Sequence, residues 1–112
     1  MNGVNQDILF YQGDSRQLVV TVYNSQGTAI PITGAFIRYV IYQDQSVVVT
    51  KTTTNGGVVL TDPSAGVFTV YLTPTDTGAL RGSYNHMARM IDTSGDSSII
   101  MTGTVTVDQS FA

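Results

Sequence analysis

The sequence predicts an all-β fold, an immunoglobulin-like β-sandwich of about seven to nine antiparallel strands with one short helical turn near residues 74–80. Three observations predict it. Short runs rich in Val, Ile, Thr, Tyr and Phe recur along the chain, punctuated by Gly, Asp and Asn. Within the runs, apolar residues stand at every second position, the period of a strand with one buried face. With 112 residues, 42% of them hydrophobic, and no cysteine, the chain is sized for a single domain, residues 1–112, that closes a core without disulfides.

The elements follow in order. Residues 7–11 form a first strand, and Gln12-Gly13-Asp14 turns the chain. Residues 16–24 alternate, with Leu18, Val20 and Val22 on one face and Val19, Thr21 and Tyr23 on the other. After a turn at 24–27, residues 29–34 cross over. Pro31 denies this segment a ladder hydrogen bond, so it is no central strand. Residues 35–43 place Ile37, Tyr39 and Ile41 inward and Phe36, Arg38, Val40 and Tyr42 outward. Residues 46–53 form a Val/Thr strand, and Asn55-Gly56-Gly57 is the strongest turn signal in the chain. A short strand at 58–61 and a turn at 62–66 lead into 67–73, where Phe68, Val70 and Leu72 share a face. Thr73 before Pro74 reads as a helix N-cap with proline at the first helical position, and Leu80 as an apolar plug behind it. Residues 82–92 put Tyr84, His86, Ala88 and Met90 on one face. A loop at 92–96 around Gly95 then leads to a last strand, 98–108, with Ile99, Met101, Val105 and Val107 in register.

Charge and composition exclude several function classes. The net charge is −3 and the five Lys and Arg residues are scattered, which argues against a nucleic-acid partner. No run reaches the roughly 18 apolar residues of a membrane helix, and residues 1–10 lack the basic start and apolar stretch of a signal peptide. Charged residues make up 12% of the chain, against about 25% in ordinary soluble domains. Two readings account for this. The surface meets other subunits, since interface centres are depleted in charge, or threonine is enriched for its strand propensity alone.

Catalytic chemistry finds little to work with. His86 is the one histidine and lies mid-strand among apolar neighbours, and no Gly-x-Ser-x-Gly elbow accompanies it. Asp92, Ser94 and Asp96 are a loose match to calcium-ligand spacing, but the chain contains no glutamate to close such a loop, and turn chemistry explains them. No phosphate-binding glycine loop and no dinucleotide fingerprint occur. These readings predict no enzyme, no cofactor and no metal. Gly82-Ser83-Tyr84 resembles a tyrosine corner, in which the hydroxyl ties back to upstream backbone and locks the end of the sandwich.

A series of segments runs through nearly the whole chain: Gly13-Asp14, Pro31-Ile32-Thr33-Gly34-Ala35, Lys51-Thr52, then 57–62, 65–76, 80–84 and 103–107. Together they resemble the immunoglobulin-like domain at the N-terminus of phage baseplate upper proteins and related small phage virion proteins. The resemblance implies a non-catalytic structural part that docks virion components together, with no catalytic residues to transfer. Baseplate members continue into further domains, whereas this chain ends soon after the sandwich. That favours a capsid decoration (cement) protein or other head accessory over a tail, baseplate or fibre component. Its partners would be other virion proteins, its copies many or homo-oligomeric, and its location the virion, assembled in the host cytoplasm, with no nucleic acid or membrane bound. Expected contacts are the outward aromatics Tyr23, Phe36, Tyr42 and Tyr71 and the edge strand at Val47, Val48 and Val49. The arm at 1–6 and the tail at 109–112 are expected to strap onto a partner or to fray. Six tyrosines leave a glycan-binding adhesion module as the alternative class.

Overall fold

The computed structural model describes residues 4–112. Among these, nine strands make two sheets. The larger holds β1 (Val4–Asn5), β2 (Ile8–Tyr11), β4 (Phe36–Gln43), β5 (Ser46–Thr52), β8 (Gly82–Ile91) and β9 (Ser97–Asp108), in the order β1-β9-β8-β4-β5, with β2 also on β9. The smaller is β3 (Arg16–Thr21), β7 (Val67–Leu72) and β6 (Val58–Asp62), in that order. The sheets pack face to face. The alternating positions Ile37, Tyr39 and Ile41 of β4, Ala88 and Met90 of β8, and Met101, Val105 and Val107 of β9 are buried with Leu18, Val20, Val58, Phe68 and Val70 of the small sheet. Each fully buried aliphatic side chain contributes about 1.5–3 kcal/mol relative to exposure. The two inward faces therefore hold the sandwich without any covalent cross-link.

Local chemistry sets the ends of the elements. Thr73 accepts a hydrogen bond from the Asp76 N–H while the Asp76 carboxylate accepts from the Thr73 N–H, a reciprocal capping box that starts α1 (Pro74–Gly78). Leu80, just beyond α1, is buried in the core. The turn at 62–66 contains a 3-10 turn, Pro63–Ala65, and Gly66 follows it with φ 78°, packed so closely on the Ile30 carbonyl that a Cβ has no room.

The expected all-antiparallel pairing fails at the N-terminus. β1 and β2 both run parallel to β9, with Val4 opposite Met101 and Ile8 opposite Val105. The segment expected to strap or fray pairs with β9 over Val4–Asn5, and Gln6 N–H donates to the Thr102 carbonyl at 2.8 Å. Residues 1–3 lie outside the described residues. Two further corrections come from β-bulges, each of which inserts a residue and shifts the alternation by one. On β5, Ile41 pairs with Val49 but Tyr42 with Val47, so Val48 is extra. Val47 and Val48 are 50% and 46% exposed, whereas Val49 points into the core at 7% and is no interface residue. On β9, Ala88 pairs with Met101 but Arg89 with Ile99. Ile100 takes the core position, and Ile99, expected in register with Met101, lies on the outward face level with Arg89.

Candidate interaction surface

Inside the sandwich, the one histidine is committed to structure. His86 is buried, and its two ring nitrogens meet the Tyr39 hydroxyl (2.8 Å at Nδ1) and the Gln6 carbonyl (at Nε2). A carbonyl only accepts, so Nε2 carries the proton and Nδ1 accepts from the Tyr39 O–H. The two rings also meet edge to face, with centroids 5.5 Å apart. Burial pulls the His86 pKa below the usual histidine value, outweighing the Gln6 carbonyl and the Asp7 carboxylate, which pull the other way. Burial likewise pushes the Tyr39 hydroxyl well up, consistent with its role as donor. Gly103 completes the arrangement. A Cβ there would collide with the Gln6 carbonyl and lie 2.8 Å from His86 Nε2.

Four of the eight aspartates, Asp7, Asp14, Asp76 and Asp92, accept from backbone N–H groups. Asp92 Oδ1 accepts from the Ser94 N–H, the Ser94 hydroxyl and the Asp96 N–H, and these bonds, the Ser94 side chain's foremost, hold its pKa below the usual carboxylate value. Asp7 accepts from Thr104 N–H and Asp14 from Tyr11 N–H. Asp76 is raised by partial burial, but the hydrogen bond from Lys51 and those from Thr73 outweigh that and lower its pKa. Lys51 and Asp76 lie 2.6 Å apart, a partly exposed pair worth about 0–1 kcal/mol. Among the described residues, no three His, Cys, Asp or Glu side chains gather as a metal site.

The outward faces are where the chain differs from an ordinary soluble domain. On the small sheet, Gln17, Val19, Thr69, Tyr71, Val59 and Thr61 cover the middle of the face without a charged side chain, and Val19 and Val59 are exposed. On the large sheet, Val40, Tyr42, Val47 and Met87 line a shallow apolar depression that continues to Arg38, Arg89 and Ile99. Arg38 and Arg89 stand directly opposite each other on β4 and β8, both exposed.

The structure distributes the expected contact residues rather than gathering them. Phe36, Tyr42 and Val47 share the outward face of the large sheet, with Val48 on its exposed edge, while Tyr71 lies on the small sheet. Tyr23 sits beyond β3 in an isolated bridge with Ala29. Phe36, Tyr42 and Tyr71 are half-buried, and Tyr23 is exposed. At the end of the large sheet, Gly82 has φ 98° and the Tyr84 hydroxyl accepts from the Arg81 N–H at 3.0 Å. Nothing in the sequence marks the facing arginines as a pair, since cross-strand neighbours 51 residues apart emerge only once the β4–β8 register is known.

Neither a protein-family model nor a curated protein matches the chain. Two solved structures are similar to it at 13% identity and a TM-score of 0.51. The fibronectin(III)-like modules of Clostridium thermocellum CbhA match over 97% of this chain and 94% of theirs. CopC from Methylosinus trichosporium OB3b matches over 98% of this chain and 89% of its own. At that identity the likeness is one of fold, and the fold of this chain is an immunoglobulin-like β-sandwich.

Proposed function

We propose that the chain is a non-catalytic docking module of a bacteriophage particle, binding in many copies to virion proteins as a capsid decoration protein or other head accessory. The observation that carries this reading is the pair of outward sheet faces, one uncharged across its middle and the other apolar around a single pair of arginines. Faces depleted in charge and carrying exposed valines and half-buried tyrosines match the centre of a protein interface better than a solvated surface. The run of segments that resembles phage baseplate upper domains is what suggests the kind of partner. The non-catalytic part of the reading is supported by His86, buried with both ring nitrogens engaged, and by Asp7, Asp14, Asp76 and Asp92, which accept from backbone N–H groups.

Purified chain mixed with assembled heads and, separately, with tails of the corresponding phage tests this by co-sedimentation. Saturable binding to heads supports the decoration role, and binding to tails alone would move the module to the tail. Failure to bind either would end the virion reading.

A further inference from the structure

Arg38 and Arg89 occupy opposed positions on neighbouring strands, an arrangement that like charges disfavour unless an anion lies between them. Neither makes an ion pair among the described residues, where Lys51–Asp76 is the one such contact, and Arg89 donates only to the Ser97 hydroxyl, at 2.9 Å. The two guanidinium groups end an apolar depression formed by Val40, Met87, Val47 and Ile99. Two cations in an apolar frame fit one carboxylate followed by an apolar side chain. They are too few, on a chain of net charge −3, for a polyanion.

The chain carries a segment of that chemistry. Beyond Tyr11's partner Asp108, which is exposed at the end of β9, the tail runs Gln109-Ser110-Phe111, and Phe111 is 92% exposed. Extended, Asp108 to Phe111 spans about 10 Å. From the Arg38–Arg89 row to Tyr42 is about 13 Å along β4, so an aspartate between the arginines would set the phenyl ring among Val40, Met87, Val47 and Tyr42. The Asp108 carboxylate cannot bridge the two arginines of its own chain. Ile99, level with Arg89, lies roughly 30 Å along β9 from Asp108. A two-fold stack of the faces would oppose four guanidinium groups, so the face of one copy meets the tail of another and not its face.

We propose that this face receives residues 108–111 of a second copy, with the Asp108 carboxylate bridging Arg38 and Arg89 and Phe111 filling the apolar end. The contact joins a tail to a face, so copies close a two-fold pair by exchanging tails, close a ring or extend a row. It is small, with an expected Kd of about 0.1 mM in solution, strengthened where copies are arrayed on a surface. It stands independently of the virion reading, since a chain that binds no particle can still self-associate.

Sedimentation velocity of the full chain over a concentration series is the test. The expected result is concentration-dependent association, weakened about tenfold by Phe111→Ala and lost in Arg38→Asp/Arg89→Asp. All three positions are exposed, and circular dichroism verifies that the variants fold. An equimolar mixture of the tail variant and the face variant should form a dimer and nothing larger, because each supplies the half that the other lacks. A chain that stays monomeric to about 1 mM overturns the proposal. So does association that Phe111→Ala leaves intact but Val48→Lys abolishes, which would place the contact at the β5 edge. A monomeric chain that binds DNA through the two arginines would also overturn it.

Discussion

Tyr39→Phe removes one oxygen atom from the centre of the large sheet, and the structure fixes what that removal does. The Tyr39 O–H is the donor to His86 Nδ1 at 2.8 Å, and the other ring nitrogen is already engaged by the Gln6 carbonyl. Both side chains are fully buried, so water cannot replace the lost donor. The phenylalanine ring fills nearly the same volume, and packing is conserved. What remains is an unpaired acceptor in the core, a cost of about 1–3 kcal/mol. At this size a domain loses roughly 5 °C of Tm per kcal/mol, so the variant should melt about 5–15 °C lower. Thermal and urea unfolding followed by circular dichroism at pH 8, where His86 is neutral in both folded and unfolded chains, measure the loss. An unchanged or raised melting temperature would show that the hydroxyl bond contributes nothing and would refute this reasoning.

Three further outcomes are expected. His86 is the one histidine, and its pKa is lowered on folding, so the unfolded chain binds a proton more readily. Stability is therefore full above an unfolded pKa of about 6.5 and declines as pH falls through it toward the depressed folded value, by up to about 1.4 kcal/mol per pH unit. Urea titrations at pH 8, 6 and 5 should show this slope, and His86→Gln should flatten it. Thr73→Ala removes the capping box of α1 and should cost about 1 kcal/mol in the same assay. Gly103→Ala drives a Cβ into the Gln6 carbonyl and should release β1 from β9, read as faster amide exchange at Gln6 with the rest of the sheet still protected.

Alternation made the inward sets of β3, β4, β7 and β8 legible from sequence, because each has polar or large outward residues between its core positions. It failed where apolar residues run together. Val47-Val48-Val49 and Ile99-Ile100-Met101 carry no period, so nothing in the sequence marks which residue is the bulge or which way the others face. The parallel docking of β1 and β2 was hidden for another reason: strand direction relative to a partner some hundred residues away leaves no local trace. The outward aromatics were readable one by one. The surface they belong to was not, since the depression on the large sheet is assembled from β4, β5, β8 and β9 and its arginines are neighbours only through register.

The parallel seam between the first strands and the last one also sets an order of events. Asp7 and Thr104 are joined across 97 residues of chain, and closing so long a loop costs about 4 kcal/mol of entropy before any contact repays it. A polypeptide emerging from the ribosome makes β1 and β2 first but has no edge to lay them on until β9, the last strand in sequence, has been synthesised. The opening segment therefore cannot pair with β9 until that strand has been made, and the seam adds to the long-range contacts that slow folding.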